Sequence, residues 1–175
     1  MKCTDLLMQD HKVILRALDV LDQMANRVED DKPAEGEDVE MILRFLRTFA
    51  DDYHQGKEES ALFPELLRSS SANQGPLRQM IFEHDQERSL VEGLEEAVRT
   101  NKGADFVHFA RRLTSLIRTH IHKEDHILFE IAERLLSAEQ DVRVSAELDT
   151  FRTDLDCLAD LRCLEWKYMR KTCVA

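Results

Sequence analysis

Apolar residues recur along most of the chain at steps of three and four, the spacing that lines one face of an α-helix. Leu7, Ile14, Leu15, Leu18 and Leu21 predict a first helix with Thr4 as its N-cap and Asp5 in its first turn, running to about Val28. The polar stretch 29–36, which holds Pro33 and Gly36, predicts a loop. A second helix is expected from Asp38 to Arg68, kinked or ended near Leu62 by Pro64. A break at 69–75 precedes Pro76, which suits the first turn of a third helix reaching Thr100. Asn101-Lys102-Gly103 reads as a C-cap and turn before a fourth helix, Ala104 to Leu136.

Ser137 with Gln140 resembles a capping box that opens a fifth helix to about Arg170. Its stripe of Val144, Leu148, Phe151, Leu155, Leu158, Leu161 and Leu164 needs a partner, either the bundle or the same helix of a second chain in a homodimer. The expected fold is all-α: an antiparallel up-down-up-down four-helix bundle over residues 1–136, with a C-terminal helical extension over 137–175.

Composition narrows this reading. With 43% apolar and 34% charged residues, five Gly and three Pro in 175 residues, the chain suits one domain of long amphipathic helices. A formal charge of -11 argues against a nucleic-acid or anionic-membrane partner, either of which needs a clustered basic surface. No apolar run approaches a membrane span and Asp5 interrupts any leader-like start, so a cytoplasmic protein is expected. Cys3, Cys157, Cys163 and Cys173 have neither metal-site nor disulfide-scaffold spacing and read as free thiols.

An internal repeat carries the chemistry. His54-Gln-Gly-Lys57-Glu58-Glu59-Ser-Ala-Leu62-Phe63 matches His120-Ile-His-Lys123-Glu124-Asp125-His-Ile-Leu128-Phe129 without a gap. Periodicity fixes only apolar places, yet here the polar places repeat too. Four residues apart on a helix, His54 and Glu58, and His120 and Glu124, lie on adjacent turns of one face and can reach one centre. Glu59 and Asp125 are rotated toward the flank, as solvated or supporting groups.

His11 shares a face with Leu7, Met8, Ile14, Leu15 and Leu18, and His84 with Leu77, Met80, Ile81 and Val91. His120 shares one with Leu113, Leu116, Ile127 and Ile131, whereas His122 and His126 point outward. His84 and His120 each stand about 16 residues from their shared turn, and His11 and His54 about 17 and 16, so antiparallel packing puts the histidines at one height. Four histidines and two glutamates in a core are costly unless something binds them. Their nitrogen and oxygen donors suit iron, manganese or zinc. Two ions are expected, bridged by Glu58 and Glu124, with His11 paired with His120 and His54 with His84. Tyr53, Lys57 and Lys123 are acid–base candidates through adjacency alone.

These residues resemble the hemerythrin-like, or His-His-Glu cation-binding, domains: His54-x3-Glu58 followed by Leu62-Phe63-Pro64, His11 after Asp10, Glu83-His84-Asp85, and His120-x3-Glu124 with Leu128-Phe129. The resemblance covers about residues 4–135 and looks closest to bacterial members with four histidines and two glutamates. Invertebrate oxygen carriers have a further histidine where this chain has Arg88, and bridge through an aspartate at the place of Asp125. The internal repeat selects Glu124 instead. The resemblance implies two non-haem iron ions and a small ligand such as oxygen, nitric oxide or peroxide. On this reading the chain is a carrier, store or sensor more than an enzyme. The alternatives are a di-iron redox enzyme of the peroxide-reducing, nitric-oxide-reducing or iron–sulfur-repair kind, and a metal-free helical interaction module.

Overall fold

The computed structural model describes residues 1–32, 35–70 and 74–169. Parts of the two expected loops (33–34 and 71–73), the expected end of the last helix at Arg170, and Cys173 lie outside them. The first four helices form the expected bundle. Helix α1 is Cys3–Glu29. Helix α2 runs from Gly36 to Ser69, its α-helical turns interrupted by π-helical stretches at Leu46–Gln55 and Glu58–Leu62. Helix α3 is Gln74–Arg99. Helix α4 is Gly103–Lys123, continuing through a π-turn at Glu124–Leu128 into Phe129–Leu135.

Helix starts depart from expectation in small ways. Lys2, not Thr4, precedes α1, and Asp5 accepts the Lys2 N–H at 2.8 Å while Thr4 Oγ donates to Glu133 at 3.1 Å. Asn101 takes the left-handed conformation that closes α3 (φ 52°). Pro64 does not end α2. The Phe63 N–H bonds back five residues to the Glu58 carbonyl, and Pro64 follows at once, in the first turn of the renewed α-helix where a missing N–H is tolerated.

The core comes in two halves. One gathers Ile14, Leu18 and Leu21 with Phe45, Phe49, Leu94, Leu113 and Ile117. The other gathers Cys3 and Leu7 with Leu62, Phe63, Leu66, Leu77, Phe129 and Ala132. On each helix a polar stretch separates them: His11 on α1, His54 and Glu58 on α2, His84 on α3, His120 and Glu124 on α4.

The C-terminal region is two helices rather than the single one expected. The Ser137–Gln140 capping box forms and opens α5, Ala138–Leu148. The chain then leaves helical geometry until Asp154, whose side chain caps α6, Leu155–Tyr168, by accepting the Asp156 N–H at 2.9 Å. This second cap breaks the expected stripe, leaving Leu155 75% exposed and Phe151 against Gly56 of α2. Both helices pack on their own bundle: Val144 and Leu148 join the second core half, while Cys157, Leu161, Leu164 and Tyr168 join the first. Arg16–Glu165 and Tyr168–Asp38 contacts, at 2.5 and 2.6 Å, fasten α6 to α1 and α2. No described helix is long and apolar enough to cross a membrane.

Candidate metal centre

The polar layer between the core halves is where the six residues singled out by sequence meet. His11, His54, Glu58, His84, His120 and Glu124 are all at most 3% exposed. Each histidine turns Nε2 toward a glutamate: His11 to Glu124 at 3.2 Å, His120 to Glu124 at 3.2 Å, His84 to Glu58 at 3.5 Å and His54 to Glu58 at 3.7 Å. Two groups of four result, His11–His54–Glu58–Glu124 and Glu58–His84–His120–Glu124, each with ligand atoms within 4.8 Å of one another. Both glutamates belong to both groups. The histidine pairs are therefore His11 with His54 and His84 with His120, correcting the pairing expected above. The ring centroids lie 4.6 Å apart in the first pair and 4.8 Å in the second.

Behind each ring stands an acid. His11 Nδ1 faces Asp125 at 2.7 Å, His84 Nδ1 faces Glu59 at 2.7 Å, His120 Nδ1 faces Glu83 at 2.9 Å and His54 Nδ1 faces Asp10 at a looser 3.5 Å. These four acids form a closed circuit around the bundle. α1 supplies Asp10 to the histidine of α2, α2 supplies Glu59 to α3, α3 supplies Glu83 to α4, and α4 supplies Asp125 to α1. In a neutral ring, a carboxylate that accepts the Nδ1 N–H, as at His11, His84 and His120, leaves the Nε2 lone pair aimed inward, the tautomer a metal ligand needs. Lys57 donates to Asp10 at 2.9 Å and lies 3.5 Å over the Tyr53 ring, and Lys123 donates to Glu83. Arg88 holds Glu59 at 2.8 Å and Asp51 at 2.8 Å.

Every polar place matched in the internal repeat thereby acquires a role, and so does its phenylalanine. The histidine and first glutamate face the centre, and the lysine grips the acid that backs its own histidine. The second acid backs the histidine of the next helix. The phenylalanine stacks on that same ring: Phe63 on His84 at 5.9 Å and Phe129 on His11 at 5.5 Å between centroids. The π-turns that begin at Glu58 and at Glu124 set these phenylalanines in place.

Charge in the layer is unbalanced. Burial works against charged imidazole at His11, but Asp125 and Glu124 outweigh it and push the group up to about 9. His120 also reaches about 9 against its burial, chiefly through Glu124. His54 falls to about 4 because it is buried, Asp10 offsetting only part of this and neighbouring His11 adding to the fall. Burial and then Glu124 push Glu58 well above the usual carboxylate range. Burial opposes charge on Glu124 as well, yet His120 and His11 hold it well below that range. All four carboxylate oxygens of Glu58 and Glu124, and His11 Nε2, lack hydrogen-bond partners. Buried polar atoms are normally satisfied. These orphaned atoms converge on one space and include no thiolate, so the set fits hard or borderline cations with nitrogen and oxygen ligands.

Sequence reasoning left several neighbours unassigned. Asp10 and Glu83 each precede a centre-facing histidine by one residue and serve the histidine of another helix, a signal visible only as an acid–histidine doublet. Lys57 and Lys123 anchor acids and are not placed as acid–base groups. Gln55 and Glu87 carried no signal. Gln55 Nε2 donates to Glu87 at 2.5 Å, burial lifts Glu87 to about 7, and both adjoin a cavity of about 20 Å³, room for about one water. Ile81 and Ile127, expected to face inward, are 39% and 55% exposed, and the π-turn at Glu124 accounts for Ile127 by advancing the inward face to Leu128.

The hemerythrin HHE cation binding domain matches residues 3–132, most of the chain. No curated protein and no solved structure matches it. Joined to a bundle whose buried layer offers two four-residue cation sites, that match places the chain in the hemerythrin family of HHE cation-binding domains.

Proposed function

We propose that this protein holds two non-haem iron ions on His11, His54, Glu58, His84, His120 and Glu124, and uses them to bind oxygen or nitric oxide, or to handle iron, as carrier, store or sensor. The observation that supports it is the sharing of Glu58 and Glu124 by both four-residue groups. One ion held in each group would engage the four orphaned oxygens of Glu58 and Glu124. Four protein donors per ion leave positions open for a small ligand. When bound, the metal pair supplies Lewis-acid and one-electron chemistry. The protein's own residues bury the centre between two apolar halves, fix the His11, His84 and His120 tautomers through hydrogen bonds to Asp125, Glu59 and Glu83, and keep bulk water out by stacking Phe63 and Phe129 on its rings. The three described cysteines are unpaired, which supports a cytoplasmic setting.

Elemental analysis of anaerobically purified protein, with optical spectra before and after oxygen and then nitric oxide, tests this reading. Near two irons per chain with reversible spectral change is expected. Protein that cannot be loaded with iron overturns it. A second reading, a di-iron redox enzyme, is favoured by Glu87, a buried carboxyl 4.0 Å from His120 Nδ1 that adjoins a water-sized cavity. Irreversible oxidation with turnover of peroxide or nitric oxide would select it.

A further inference from the structure

His122 and His126 lie outside the buried centre, both exposed on the outer side of α4. They stand four residues apart where the helix enters the π-turn at Glu124–Leu128. Their ring centroids are 4.3 Å apart with planes inclined at 34°. His126 Nδ1 is 3.0 Å from the His122 carbonyl oxygen. A carbonyl only accepts, so Nδ1 carries the proton and the lone pair sits on Nε2, the tautomer-fixing arrangement common to metal-binding histidines. The His122 ring makes no hydrogen bond among the described residues, so it is free to turn a nitrogen toward its neighbour. Asp125, between them in sequence, is engaged with His11 on the inner side.

We propose that His122 and His126 form a second, surface metal site that takes one borderline divalent cation of the Ni(II), Cu(II) or Zn(II) class, with water in the remaining positions. Imidazole suits these ions, and two rings one turn apart on an exposed face form a chelate with no buried charge to compensate. The formal charge of -11 favours approach of a cation. This site stands apart from the buried one and does not depend on which metal that one holds.

Untagged full-length protein is titrated with Ni(II) by equilibrium dialysis and passed over an immobilised-Ni(II) column. Relative to the unsubstituted protein, His122→Ala and His126→Ala should each weaken one Ni(II) equivalent at least about tenfold and shorten column retention. The exposed-control variant His108→Ala should leave both unchanged. Metal in the buried centre is common to all five proteins, the double variant included, so the difference survives whether or not that centre binds iron. Equal stoichiometry and affinity in the His122→Ala/His126→Ala double variant overturns the proposal, as does an effect of only one of the two single substitutions.

Discussion

Asp125 Oδ1 lies 2.7 Å from Nδ1 of His11, while the opposite nitrogen of the same ring faces Glu124 at 3.2 Å. Adjacent acids thus address one imidazole from its two ends, the inner one shared by both cation groups and the outer one setting the tautomer. Glu124→Ala should abolish metal retention altogether. Asp125→Ala should keep full stoichiometry at saturating metal but weaken affinity about 10- to 100-fold, the usual effect of losing such a backing group. Chelator competition separates the two, and equal losses would remove the distinction drawn between these residues.

Lys57 and Lys123 occupy matching places in the repeat but differ in burial, 4% exposed for Lys57 against a half-buried Lys123. Lys57→Met leaves Asp10 without its cation in a buried setting, so it should lower the melting temperature and loosen metal. Lys123→Met should loosen metal with a smaller thermal cost, because Glu83 still accepts from Gln79 Nε2 at 2.7 Å. Thermal melts of metal-free and loaded forms report both effects, and an equal fall in melting temperature for the two variants would refute the ranking.

In the metal-free protein His11 and His120 titrate near 9, raised from 6.5, and each must lose its proton to act as a ligand. Metal affinity should therefore rise with pH up to about 9, and loading at neutral pH should release protons. Calorimetry in buffers of different ionisation enthalpy detects this release, and its absence would contradict the charge state described. The sign for stability is opposite. Folded values above 6.5 mean that these two histidines stabilise the metal-free fold fully below about 6.5, and that this contribution is lost as pH rises through about 9.

Gly93 on α3 faces the Phe109 ring so closely that an added Cβ would sit 2.6 Å from it. Gly93→Ala should cost about 1–3 kcal/mol through overpacking, despite the better helix propensity of alanine. Gly36→Ala and Gly75→Ala, both into open space within helices, should be neutral or stabilising by about 0.5–1 kcal/mol. Denaturant melts of the three variants give the comparison, and a stable Gly93→Ala protein would show that Phe109 can yield.

His11, His84 and His120 were legible because each sits among apolar neighbours at helical spacing, and His54, Glu58 and Glu124 because the polar places repeat. The pairing of histidines was not, since it depends on which helices are adjacent at that level and on ring orientation. Ile127 was placed inward because a plain 3.6-residue period was assumed, and the ladder changes period at Glu124. The extension's break was hidden because Phe151 and Leu155 continue an apolar spacing that the Asp154 cap overrides. Asp10, Glu59, Glu83 and Asp125 stand beside centre-facing residues in sequence, yet each backs a histidine at least 25 positions away, on another helix.

Each π-turn holds one residue more than an unbroken α-helix would place between a glutamate and the phenylalanine beyond it. Removing a single residue there, such as exposed Ile127, would reclose the ladder and leave Leu128, Phe129 and Ala132 in their half of the core, whereas removing one from the unbroken α-helical part of α4 would swing everything beyond it by about 100°. The centre is thus encoded by the count of residues as well as by their kinds. The π-turn can absorb a one-residue loss with Phe129 still over the His11 ring, while the same loss from a regular turn of α4 would uncover that ring and unseat the helix end together.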